Sequence, residues 1–267
     1  MQIHSTAIVH PKAELGPDVE IGPYCVIGEH VRIGRGTRLV SHVVVDGWTE
    51  IGERCQVWPF SSIGTPPQHL HYKGEPTRVV IGHDNVLREY VTVNRATVEG
   101  GGLTKLGDMN FLMAYSHIAH DCLLGSHIIM ANSANLAGHI TIGDHAVIGG
   151  LAGIHQFVRI GPYAMVGGCS AVAQDVPPFM RANGDRAQLF GLNSVGLRRH
   201  GFATQRISTL KKVYAALFRS GQRLSEAVKQ TKAQFPDNPD VAQLAAFIDA
   251  SKRGLCRAAG KDEDGQD

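Results

Sequence analysis

Aromatic residues make up only 6% of this 267-residue chain, and no apolar run approaches the roughly 20 residues that span a bilayer. A transmembrane segment is therefore excluded. The opening Met1-Gln2-Ile3-His4 has neither the basic nor the apolar part of a secretory signal, so the expected location is cytoplasmic. Cysteine is scarce and scattered: Cys25, Cys55, Cys122, Cys169 and Cys256 form no CxxC pair, which speaks against a disulfide framework or a thiolate zinc site. Excess charge of one sign is missing too. The formal net charge is +2 with signs mixed throughout, so no basic block is available to wrap nucleic acid. Glycine, by contrast, is plentiful at 31 residues without any low-complexity tract, so something regular must be using it.

The regularity is a six-residue repeat. From Ile3, an aliphatic residue recurs at every sixth position through Ile21, Ile33, Val45 and Val57 to Ile63 without a failure. Four residues after each stands a small or β-branched residue such as Ala7, Val19, Cys25 or Ser61, so two positions per hexad face inward. Glycine often follows the aliphatic residue, as at Gly16, Gly22, Gly28, Gly34 and Gly52, where a corner would use its backbone freedom. The phase resumes at Ile81, Leu87 and Val93, then shifts by one and runs from Leu106 to Val172. A period of six suits neither a helix nor a simple strand, but it suits short strands separated by turns. Three such strands make a triangular coil of about 18 residues, and successive coils stack about 4.8 Å apart as parallel sheet.

Two segments break the register, Thr65 to Thr77 and Arg95 to Lys105, and read as loops projecting from the prism. Their Lys, His and Tyr content favours a binding role, since loops on rigid scaffolds often carry function. The repeat ends at Pro177-Pro178, and helical spacing follows. Four helices are expected, over Gln188 to His200, Thr204 to Ser220, Arg223 to Phe235 and Asp240 to Gly254. The division is thus a prism domain over 1–187, a helical domain over 188–256 and a disordered tail over 257–267.

Histidine, with 14 copies, clusters in His117-Ile118-Ala119-His120-Asp121-Cys122 and again at Gly138-His139. His120 and Asp121 fall between buried positions of their hexad and are expected to face outward. One coil later, Gly138 should lie over His120, with His139 beside it and His155 near the next level. A neutral imidazole at His120 suits a general base, Asp121 would fix its tautomer, and the unshielded N–H of Gly138 would hold an oxyanion. Neighbours on a true strand point oppositely, so the His120–Asp121 contact requires a turn or a partner subunit. Two rival readings stand beside this one: histidines of successive coils binding zinc, as in proteins resembling the γ-class carbonic anhydrases, and a purely structural β-helix with solvated histidines.

The segments His117 to Cys122, Asn135-Leu136-Ala137-Gly138-His139, His155-Gln156-Phe157, Val166 to Ser170 and Ala173 to Pro178 resemble, in order, the motifs of the UDP-N-acetylglucosamine acyltransferase family of hexapeptide-repeat enzymes. Gly74 to Arg78, Gly100 to Lys105 and Gly196 to Phe202 extend that resemblance over nearly the full length. It implies a mainly β protein, a left-handed parallel β-helix followed by a C-terminal all-α domain, assembled as a homotrimer with active sites between neighbouring prisms. It implies transfer of a 3-hydroxyacyl chain from acyl carrier protein to UDP-N-acetylglucosamine at the start of lipid A synthesis, with no cofactor and no metal. On the matching positions, His120 is the base, Asp121 assists it and Gly138 supplies the oxyanion N–H. Gln68, His71, Tyr72, His117, His139, His155, Gln156, Asn193, Arg199 and His200 contact the sugar nucleotide, and Gly168 helps set the acyl length. The chain departs from the family pattern at His69, His71, Asn94, Val195 and His200, which leaves open an acceptor acylated on a 3-amino group. The related N-acyltransferase of the same pathway is a further alternative.

Overall fold

The computed structural model describes residues 1–260. Each hexad folds as a two-residue strand and a tight corner. Three strands close one coil, as Gln2–Ile3, Ile8–Val9 and Glu14–Leu15 do, and the next coil lands in register with Ile3 beside Ile21 and Leu15 beside Ile33. Repetition builds three flat parallel sheets, here sheet A (beginning at Gln2–Ile3), sheet B (at Ile8–Val9) and sheet C (at Glu14–Leu15). The result is the left-handed β-helix the resemblance implies. Its aliphatic positions form one continuous core, in which Ile27, Leu39, Ile63, Leu87, Leu112 and Leu136 are fully buried. Every-sixth-residue apolarity therefore becomes a filled prism, stabilised by removing its inner faces from water.

Backbone freedom is needed at a different place from the one the glycines mark. The left-handed conformation recurs three residues after many of the inward aliphatics, held by a glycine at Gly36 (φ 66°) but by other residues at Tyr24 (φ 59°), His42 (φ 52°), Asp121 (φ 62°) and His139 (φ 61°). The glycines that follow the aliphatic position serve close approach: a Cβ at Gly22 would overlap the Val40 carbonyl of the next coil, and one at Gly34 would lie 2.6 Å from the Gly52 carbonyl carbon.

Both interruptions leave at the corner between sheets B and C and return to sheet C on the next rung. Thus Arg78–Ile81 pairs with Trp48–Ile51 on one side and with Leu103–Leu106 on the other. The second loop is shorter than the sequence suggests, because Leu103 to Lys105 are already strand. Thr77 ties the two loops together by donating its hydroxyl to the Ala96 carbonyl at 2.5 Å.

Sheet A ends with Met180–Asn183, which turns back antiparallel onto Gln188–Leu192. This corrects the helix expected from Gln188: Leu189 is buried between the partly exposed Gln188 and Phe190, the alternation of a strand, and only Ser194–Arg199 (α1) is helical. The remaining helices are Thr204–Phe218 (α2), Leu224–Gln234 (α3) and Pro239–Asp249 (α4), the last beginning where the Asn238 side chain accepts from the Asp240 and Val241 N–H groups. The final stretch is not all tail. Leu255 pairs with Asp175, Ala258 pairs with Leu189, and Ala259 is buried, so the segment through residue 260 seals the end of the prism; residues 261–267 lie outside the described part of the chain.

Candidate active site

The corner between sheets B and C carries the chemistry. His120 and Asp121 form one such corner, and the positive φ of Asp121 turns its side chain back so that one carboxylate oxygen meets His120 Nδ1 at 2.7 Å. The turn required for that contact is present. Asp121 does not face outward, as its place in the hexad suggests; its carboxylate is fully buried. The reason is the second loop, which closes over it: the Thr97 N–H and hydroxyl donate to it at 3.0 and 2.7 Å, and Gly100 packs so closely that any Cβ would strike the carboxylate. The Asp121 N–H in turn donates to Thr104 Oγ1 at 2.8 Å. With Nδ1 of His120 facing a carboxylate, which can only accept, the neutral ring carries its hydrogen there and offers Nε2 as an acceptor, and the ring keeps partial access to solvent.

One rung higher, the His139 N–H donates to the His120 carbonyl at 3.0 Å, which sets Gly138 against the imidazole. A Cβ on Gly138 would stand 2.5 Å from His120 Cε1, so glycine is needed for that ring position. The Gly138 N–H donates to no acceptor among the described residues. His139 meets His120 edge to face with centroids 5.1 Å apart and stacks on Phe157 at 4.4 Å. Burial, reinforced by His120 and His69 and opposed by Asp121, lowers the His139 pKa below the ordinary imidazole value. On the other side, His69 presents its ring to His120 at 5.3 Å and to His71 at 5.7 Å. The first loop holds this wall in place: Arg95 donates to the Tyr72 hydroxyl at 2.8 Å and to the Gly64 carbonyl at 2.9 Å, while Asn94 donates to Thr65 and Pro66.

Beside the corner, His117 stands on the outer face of sheet B, bonded through Nδ1 to Thr92 Oγ1 at 2.7 Å; burial and then His120 lower its pKa. It begins a shallow apolar groove of about 460 Å³ lined by Ala137, Gly153, Ile154, Ala171 and Ala173, with His155 at its far side. Gln156 is exposed next to His155, one rung above Gly138.

Other residues singled out in the sequence are not at this corner. Gly168 lies at the corner between sheets A and B, where a Cβ would meet the Gly150 carbonyl oxygen at 3.2 Å. Gln68 is exposed on the first loop, and Tyr72 spends its hydroxyl on Arg95 and the Glu75 carbonyl. Asn193 is buried as the cap of α1, donating to the Tyr163 carbonyl and accepting from Gly196 N–H, both at 3.0 Å. His200 packs against His145 and Tyr163, and Arg199 is exposed beside it, at the corner between sheets C and A. Thr97 and Gly100, which enclose the carboxylate, and Thr104, which accepts from the Asp121 N–H, carry no role in the sequence reading, where Gly100 to Lys105 stands only as a segment of the resemblance.

The donors of His120, Asp121 and His139 lie within 4.8 Å of one another, which raises the question of a metal. In this arrangement His120 Nδ1 and Asp121 are bonded to each other at 2.7 Å and the carboxylate also accepts from the Thr97 hydroxyl at 2.7 Å.

A triangular prism of hexapeptide coils with an imidazole–carboxylate pair at one corner defines the chain as a hexapeptide-repeat transferase. Residues 1–35 match the family model described as bacterial transferase hexapeptide, and residues 175–256 match the one described as UDP N-acetylglucosamine O-acyltransferase, domain 2. The acyl-[acyl-carrier-protein]–UDP-N-acetylglucosamine O-acyltransferase of Thermodesulfovibrio yellowstonii is 58% identical over 96% of this chain and 99% of its own length. Its namesake from Syntrophobacter fumaroxidans is 50% identical over 96% and 100%. Among solved structures, the UDP-N-acetylglucosamine acyltransferase of Francisella novicida superposes with a TM-score of 0.94 at 36% identity over 98% of this chain and 96% of that one. The O-acyltransferase of Moraxella catarrhalis gives 0.93 at 41% identity over 96% and 100%. The chain belongs to the UDP-N-acetylglucosamine O-acyltransferase family, and it is an acyltransferase.

Proposed function

We propose that the chain moves a 3-hydroxyacyl group from acyl carrier protein to the 3-hydroxyl of UDP-N-acetylglucosamine, the first step of lipid A biosynthesis, in the cytoplasm. The single observation that carries this reading is the His120–Asp121 bond at 2.7 Å beneath the Gly138 N–H, which has no acceptor among the described residues. In the proposed step His120 Nε2 takes the proton of the sugar hydroxyl as its oxygen attacks the thioester carbon. The Gly138 N–H holds the resulting oxyanion, and collapse expels the carrier thiolate, which recovers the proton from the imidazolium. Atoms and charge balance without any cofactor.

His117, His139, His155 and Gln156, with Gln68, His71 and Tyr72 of the first loop, are assigned to the sugar nucleotide, and Gly168 to the acyl length. The apolar groove from His117 to Ala173 suits a hydrocarbon chain leaving the base. Asn193, Arg199 and His200 complete the site from a neighbouring copy, because in one chain they occupy a different corner from His120. The working unit is a homotrimer, each prism domain passing into its helical domain after the strand Gln188–Leu192.

The test is His120→Ala assayed with a 3-hydroxyacyl carrier protein and UDP-N-acetylglucosamine. A loss of about 10²–10⁴-fold in kcat with assembly unchanged is expected for removal of a general base. Turnover near that of the unaltered enzyme would remove His120 from the mechanism.

A further inference from the structure

The three residues that open the second loop touch three different parts of the site. Arg95 reaches back to the first loop, Ala96 offers its carbonyl to the Thr77 hydroxyl where that loop rejoins sheet C, and Thr97 binds the Asp121 carboxylate. Arg95 is the unusual member. It is buried, with 8% of its surface exposed, and no carboxylate pairs with it among the described residues. A guanidinium in that position is costly unless other groups replace its water. Here the Gly64 carbonyl accepts from Nη1 at 2.9 Å and the Tyr72 hydroxyl accepts from Nε at 2.8 Å. The rings of Tyr72 and Trp48 lie 5.5 and 5.8 Å from the guanidinium carbon, and Trp48 is itself stacked on His30 at 4.7 Å. Gly47 leaves the room, since a Cβ there would strike Nη1.

The first loop depends on this anchor. From Pro67 to Pro76 its hydrogen bonds stay inside the loop, with one exception among the described residues: Arg95 Nε to the Tyr72 hydroxyl. Asn94 binds only the root of the loop, at Thr65 and Pro66. From Tyr72 the path to the base is short. Its hydroxyl donates to the Glu75 carbonyl at 2.7 Å, its N–H donates to the His69 carbonyl at 3.1 Å, and the His69 ring meets His120 with centroids 5.3 Å apart.

We infer that Arg95 is a positioning residue for the sugar nucleotide: through Tyr72 it fixes where the first loop stands against His120, so that affinity for the acceptor depends on it and proton transfer does not. The inference rests on the reading of His120 as the base and of the first loop as part of the acceptor site. It divides labour within one short segment. Arg95 serves binding, and Thr97, two residues on, serves the base through Asp121. Arginine suits the task better than lysine, because its planar fork gives two donors to two acceptors at a fixed angle.

Arg95→Met keeps a long stem and removes both donors. With a 3-hydroxyacyl carrier protein as donor, the KM for UDP-N-acetylglucosamine is expected to rise about 10–100-fold, the worth of one hydrogen bond from a charged group, while kcat changes by less than about threefold. A general loosening of the protein would lower kcat as well. Trypsin reads the loop without any turnover: cleavage after the exposed Lys73, identified by mass, should speed up about tenfold in Arg95→Met. Tyr72→Phe removes the same bond from the loop side and covers the case in which Arg95→Met does not fold. It should also raise the KM, and the double variant should be no worse than Arg95→Met alone, since both changes break one bond. An unchanged KM in both variants, a fall in kcat at constant KM, or unaltered cleavage after Lys73 overturns the inference. An unaltered protein that transfers no acyl group would instead overturn the function proposed above, and the cleavage rate would still decide whether Arg95 anchors the loop.

Discussion

At the scale of single residues, the site is organised around a carboxylate that never meets water. Asp121 accepts from His120 and from both the N–H and the hydroxyl of Thr97, so its charge is balanced by donors fixed in place before any substrate arrives. Thr97→Val keeps the shape and removes one of those donors. A hydrogen bond to a charged group contributes about 1.5–3 kcal/mol, so the variant is expected to lose stability of that order in urea titration. Its kcat should fall while the KM for the sugar nucleotide changes little, because Thr97 acts on the base only through Asp121. That Gly138 meets His120 was legible in the sequence from spacing, since residues 18 apart meet on adjacent rungs. The clamp was not legible: Thr97 and Gly100 reach Asp121 through a loop that has no period to count.

At the scale of the element, one hexad is a strand and a corner, and its two special positions differ in what they demand. The left-handed corner costs a non-glycine residue about 1–2 kcal/mol, yet tyrosine, histidine and phenylalanine sit there at Tyr24, His42 and Phe60. Stacking each ring on the next recovers part of that cost, which a single-residue reading of turn chemistry misses. The glycine position is stricter. Gly34→Ala would drive a methyl into the Gly52 carbonyl carbon, and the backbone of a paired coil has no easy way to yield. The variant is expected to lose about 1–3 kcal/mol in denaturant titration, whereas alanine at Gly153, whose added methyl would meet nothing within 4 Å, should leave stability unchanged. The last strand, Gln188–Leu192, was misread as helix because its short alternation runs directly into the helical spacing of α1. Helices α2 to α4 matched their sequence signals to within a turn at most places, since an apolar stripe such as Ile207, Leu210, Val213 and Leu217 is unambiguous.

At the scale of the whole molecule, several imidazoles are held uncharged by burial. His117, His139 and His145 all have pKa values lowered from the ordinary 6.5, with burial the largest cause in each. The folded chain therefore binds fewer protons than the unfolded chain just below that value. Stability from these groups is fully present above pH 6.5 and is lost as the pH falls towards their folded values. The melting temperature should drop between pH 7.5 and 5.5, and His117→Asn should flatten that drop in a scan of Tm against pH. The sequence exposed the histidine clustering but not the sign of this effect, which depends on how deeply each ring is packed.

The two loops show what such an architecture tolerates. Each excursion departs from a corner and rejoins the adjoining strand on the following rung, as Arg78 beside Trp48 and Leu103 beside Arg78 demonstrate. The hydrophobic count can therefore slip by one across Arg95 to Gly102 without displacing a single core side chain. A protein of this kind can carry extra chain at its corners, as it does at these two, while the spacing of its reactive groups stays clocked by the rungs. New specificity is written in the excursions, and the metronome beneath them need not change.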